Sequence, residues 1–127
     1  ANLTNADLSG ADLTGANLME VNFIGADLTG ANLSGADLSG ADLRCANLLG
    51  ANLTGANLTD AELSGADLSG ACMKNASLSG ASLIGADLIN ADLTGSDLIE
   101  EKLNTGATPT GVSHKWVTWD GSCSSAR

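Results

Sequence analysis

The amino-acid sequence predicts an all-β solenoid, and three observations carry that prediction. A five-residue unit, Ala-(Asp/Asn)-Leu-(Ser/Thr)-Gly, runs in one frame from Ala1 through 20 units, and a degenerate twenty-first covers residues 101–105. The central residue is Leu in 19 of the 21 units and the first is Ala in 18, so two positions in five stay apolar throughout. The fifth residue is Gly in 13 units and Asn in three more (Asn5, Asn75 and Asn90), which marks a turn in every unit. Among 127 residues there are one Phe, two Trp and no Tyr, too few rings for an ordinary core, so the interior has to be built from the repeat itself.

The period of five decides between helix and strand. On an α-helix successive Leu residues would advance by about 140° net and spiral round the axis without forming a buried stripe. On a strand, positions one and three share a face, but an odd period would send the next Leu to the opposite face. The chain therefore has to turn once per unit. Leu-(Ser/Thr)-Gly-Ala supplies the turn, with Gly at the third of its four positions, where a type II turn requires positive φ. The expected product is a coil with Ala and Leu inside and the other three positions outside. Its turns stack at about 4.8 Å as in a parallel sheet. Phe23 and Met73, which replace the central Leu, are expected to perturb it locally.

Period alone leaves the number of sides open. A 20-residue coil would align Asp7, Asp27, Asp67 and Asp87 in one column, broken by Asn47. Against that, the non-Gly turn residues Cys45, Asp60, Asn75 and Asn90 recur every 15 residues. Twenty consecutive A-(D/N)-L-x-x units resemble the pentapeptide-repeat family. That resemblance covers residues 1 to about 105, and it implies a right-handed quadrilateral β-helix of about five coils. Residues 106–127 then form a separate tail.

An open solenoid end exposes its core. The tail carries both Trp residues, the only Pro and the only His, and Trp116, Val117 and Trp119 are the candidate cap over the last coil. The chain begins in frame at Ala1 with no leader pattern, so the reading is of a removed leader or a fragment. Six apolar residues occupy the outward fourth position: Met19, Ile24, Leu49, Ile84, Ile89 and Ile99. A coil end, or the region of Ile84, Ile89 and Ile99, is the candidate homodimer contact.

Fourteen acids against three bases leave residues 1–105 at a formal −11, which disfavours direct nucleic-acid binding and suits a basic protein surface. No apolar run is long enough for a helical membrane span. His114 is the only histidine, and no Walker, G-x-G-x-x-G or C-x-x-C pattern occurs, so neither catalytic residues nor cofactor are expected. An outward Asp row offers calcium only one or two oxygens per ion, so no metal site is expected. Three cysteines leave the redox compartment open; on a four-sided coil Cys45 and Cys72 lie on opposite sides and do not bond each other, Cys123 is the alternative partner for one of them, and free thiols are the expectation. The cytoplasm, the periplasm or exterior, and the thylakoid lumen all remain candidate compartments. The expected role is a noncatalytic protein-interaction scaffold, with Asp7, Asp27, Asp67 and Asp87 as the candidate face. Family resemblance adds an alternative, an acidic mimic of duplex DNA directed at a type II topoisomerase such as gyrase.

Overall fold

A computed structural model describes residues 1–97. Parallel bridges join each second-position residue to the one 20 positions on, from Asn2–Asn22 through Cys72–Asp92. One coil is therefore four units, and the four-sided reading holds. The architecture is a right-handed quadrilateral β-helix. We number its coils from residues 1, 21, 41, 61 and 81, and its sides from the units that begin at Ala1, Ala6, Ala11 and Ala16. Pairing on each side is confined to a single bridge residue, because the chain turns before a longer strand can form.

Each unit accounts for its backbone N–H groups in a fixed way. The first-position N–H closes the turn, as when Ala6 donates to the Leu3 carbonyl at 3.0 Å. The second-position N–H reaches back one coil, Asp27 to the Ala6 carbonyl at 2.8 Å. The third and fifth reach forward, Leu8 to Asp27 at 2.7 Å and Gly10 to Thr29 at 2.8 Å. Only the fourth-position N–H has no place in this ladder, and where the second residue is Asp or Asn its side chain satisfies it, as described below.

Ala and Leu line the interior as expected. From Ala26 to Leu93 every first- and third-position residue is at most 2% exposed. Leu3, Leu8, Leu13 and Leu18 of the first coil are only partly buried, because no coil lies beneath them among the described residues. Phe23 and Met73 do not disturb the ladder. Both are fully buried, and their N–H groups donate to Asp42 and Asp92 at the same 2.7 Å as a typical Leu.

The fifth residue has positive φ in every unit from Asn5 to Gly95, between 58° and 76°. Glu20, Cys45 and Asp60 adopt this conformation as well as Asn5, Asn75 and Asn90. Their placement follows a rule hidden in the sequence. A side chain at a corner leans over the corner of the next coil, and Gly occupies that next corner at residues 25, 40, 65, 80 and 95. A Cβ on Gly25, Gly80 or Gly95 would overlap the side-chain oxygen of Asn5, Asp60 or Asn75, and one on Gly40 would come to 3.1 Å from Glu20 Cγ. The 15-residue recurrence of Cys45, Asp60, Asn75 and Asn90 is thus not a count of sides. It steps the exceptions from one corner to another, so that none stands directly over the next.

Two kinds of corner glycine should therefore respond differently to alanine. Gly30→Ala meets open space and bears only the positive-φ cost, about 1 kcal/mol. Gly80→Ala also displaces Asp60, so its urea midpoint should fall further, and in an Asp60→Gly background that excess should vanish. Equal losses at both sites, or no rescue, would contradict the corner rule.

Candidate interaction face

The second side carries the predicted column. Asp7, Asp27, Asn47, Asp67 and Asp87 are bridged in sequence, one per coil. The column does exist, but its side chains do not project freely. Oδ1 of each accepts a hydrogen bond from the N–H two residues on, at 3.1 Å for Asp7, 3.0 Å for Asp27 and Asn47, 2.9 Å for Asp67 and 3.1 Å for Asp87. Asp27, Asp67 and Asp87 are half-buried, whereas Asp7 and Asn47 are exposed.

This bond is general. Every Asp or Asn at the second position from Asn2 to Asp92 makes it, and it satisfies the one N–H that the ladder leaves over. A Ser or Thr at the fourth position frequently adds its hydroxyl to the same oxygen, as Thr29 does at 2.6 Å. At Met19, Ile24, Leu49 and Ile89 the N–H bond persists without a hydroxyl, so the backbone bond is the constant element. Arg44 substitutes for the hydroxyl, with Nε 2.8 Å from Asp42 Oδ1 and Nη2 2.6 Å from Oδ2. Sequence reasoning placed the second and fourth positions outside and gave them no part in the backbone. The signal that reveals their structural role is the i, i+2 spacing of an Asx turn.

The hydrogen bonds set the acidity. The Ser9 hydroxyl, followed by the Ser9 N–H, holds the Asp7 carboxyl below its ordinary 3.8, and the Thr14 hydroxyl and N–H do the same for Asp12. The Arg44 hydrogen bond is the main reason that Asp42 is lowered.

What projects from the second side is the fourth position. Leu49 is 44% exposed and Ile89 38%, two coils apart in one column with Ser69 between them. Among the described residues this side therefore combines four carboxylates, no cation and two aliphatic side chains. On other sides Met19 and Ile84 are exposed, while Ile24 is half-buried.

Cys45 is a free, exposed thiol on the first side. Cys72 lies on the opposite, third side and is disulfide-bonded, which corrects the expectation of free thiols. Trp116, Val117, Trp119 and Ile99 lie outside the described residues.

This architecture defines a class of solenoid, and comparisons with known proteins specify the family. The family described as pentapeptide repeats, in 8 copies, matches residues 1–35, 22–60 and 61–98. The chain belongs to the pentapeptide-repeat family. It is 39% identical to the pentapeptide-repeat protein alr5209 of Nostoc PCC 7120, over 80% of this chain and 83% of that one, with a TM-score of 0.70. HetL of the same cyanobacterium, a protein involved in heterocyst differentiation regulation, is 32% identical over 88% of this chain and 63% of its own, with a TM-score of 0.39. AT2G44920 from the Arabidopsis thaliana thylakoid lumen is 36% identical over 76% and 70%, with a TM-score of 0.41. No curated protein matches the chain.

Two predictions follow from the Asx bond. Asn57→Ala removes the acceptor for both the Thr59 N–H and its hydroxyl and should cost about 1 kcal/mol in urea unfolding, whereas Asn57→Asp at pH 7 should be nearly neutral. The pH dependence has a definite sign. Because Asp7 and Asp12 have depressed values when folded, their contribution is complete above the unfolded value of about 3.9. It is lost as pH falls through the lower folded values. The Asp7→Asn/Asp12→Asn pair should keep its Tm at pH 7 and lose less than wild type at pH 3, because an amide oxygen accepts the same bonds without titrating.

Proposed function

We propose that this repeat scaffold is a noncatalytic interaction protein whose second side receives a basic, partly apolar protein surface. The observation that carries the reading is the combination on that side of an acidic column with exposed Leu49 and Ile89. The Asx bonds hold the acidic side chains in one orientation before any partner arrives. Binding there forfeits little rotamer freedom, which favours recognition by a preordered surface. The remaining carboxylate oxygens steer a cationic partner, and the aliphatic side chains supply area from which water is expelled.

The test compares wild type with Asp27→Asn/Asp67→Asn/Asp87→Asn, a variant that keeps every Asx acceptor and should keep its Tm. Each is immobilised and exposed to native extract. A protein retained by wild type, released by salt and lost from the variant supports the reading; equal retention by both rejects it. A gyrase supercoiling titration at two salt concentrations separates the DNA-mimic alternative. Inhibition at roughly micromolar protein or below that fades with salt would replace the scaffold reading with mimicry.

A further inference from the structure

The second side departs from the other three in charge as well as in its aliphatic residues. Among the described residues its second-position column holds Asp7, Asp27, Asp67 and Asp87, against two carboxylates in the same column of each other side. The cations Arg44 and Lys74 stand on the first and third sides. Beside the acidic column, the fourth-position column carries exposed Leu49 and Ile89, two coils apart. An acidic stripe and a partly apolar stripe thus run side by side along the coil axis.

The backbone of this side has no N–H to offer. In unit 46–50 the Ala46 N–H closes a turn on Leu43, Asn47 donates to Ala26, Leu48 to Asp67 and Gly50 to Ser69. The Leu49 N–H is held by Asn47 Oδ1. A strand laid against this flank finds no ladder to extend, because its carbonyls would meet no donor. A helix needs none, since its backbone bonds are internal. Spacing points the same way. Coils repeat at about 4.8 Å, so Leu49 and Ile89 lie roughly 9.6 Å apart along the axis, against about 10.5 Å for residues i and i+7 of an α-helix. Asp27 and Asp87 are three coils apart, roughly 14.4 Å, against about 16.2 Å for three helical turns. The long stems of Lys and Arg can absorb that difference.

We propose, on the reading that this side is the interaction face, that the segment it receives is a basic amphipathic α-helix lying along the coil axis. Apolar residues of that helix, one heptad apart, sit over Leu49 and Ile89. A neighbouring stripe of Lys or Arg faces Asp27, Asp67 and Asp87. Asn47 interrupts the acidic column in the coil that carries Leu49, so the helix needs no cation opposite the third coil.

Three labelled peptides of about 21 residues, roughly six helical turns, test the partner class. The first places Leu at heptad spacing beside one Lys stripe. The second distributes the same residues around the helix, and the third is the first with two central prolines, which block the helix and keep the charge. Binding is read by fluorescence anisotropy on the full chain, on Asp27→Asn/Asp67→Asn/Asp87→Asn and on Leu49→Thr/Ile89→Thr. Thr29 occupies the same column as Leu49 and Ile89, so the threonine variant should keep its Tm. The first peptide should bind wild type at least about tenfold more tightly than the other two, and both variants should lose most of that advantage. A second or third peptide that matches the first on wild type overturns the in-register helix; where the Asp variant still weakens them all, the acidic face itself stands. A first peptide that fails to bind wild type also overturns the helix, and the extract experiment then decides the face. Equal binding of all three peptides to wild type and both variants overturns the face together with the helix.

Discussion

A positive φ at every fifth residue sets the geometry on which the other features of the molecule depend. It turns the chain often enough for Leu to face inward in every unit despite the odd period, and it limits each side to one bridged residue. Turning so often also leaves one N–H per unit without a ladder partner. The second-position Asp or Asn answers that deficit, so the two most polar-looking features of the repeat, the glycine corner and the acidic position, are parts of one backbone solution.

That coupling changes how the acidic surface is understood. A carboxylate with one oxygen committed to its own turn is a fixed charge, and a column of them is a rigid array at the spacing of parallel strands. The residues free to vary without touching the backbone account are those at the fourth position. There Met19, Leu49, Ile84 and Ile89 stand exposed where most units carry Ser or Thr. Individuality in such a protein resides at the fourth position and at the corners, while the second position serves the fold.

The corners carry a longer-range constraint. An Asn or Asp side chain at one corner occupies the space of a Cβ at the corner one coil later, as at Asn5, Asp60 and Asn75, so residues 20 apart in sequence are coupled by direct contact. Stability is then a matter of neighbouring coils, as expected of a solenoid in which each repeat touches only its neighbours. At the last described turn the register gives way. The Asp97 carboxylate takes the Leu78 N–H that a backbone carbonyl accepts elsewhere.

Much of this was legible in the sequence, because a period of five with Ala, Leu and Gly at fixed places permits few backbones. The turn and the inward residues follow from local chemistry, whereas the opposite placement of Cys45 and Cys72 follows only once the coil is four-sided. The number of sides was not readable from the period, since the angle turned at each corner is set by how coils stack, and stacking pairs residues 20 apart. The alternation of corner side chains with glycine became intelligible only once those partners were known. Likewise the role of Asp and Asn was written locally, at a spacing of two residues, yet the need for it arises from the ladder that leaves one N–H out. The burial of Cys72 and Asp92 belongs wholly to the tertiary structure. Their units carry the same outward register as those of Ser77 and Asp87, which stay half-buried, and what packs against a flank is not encoded in a local pattern that repeats on every side.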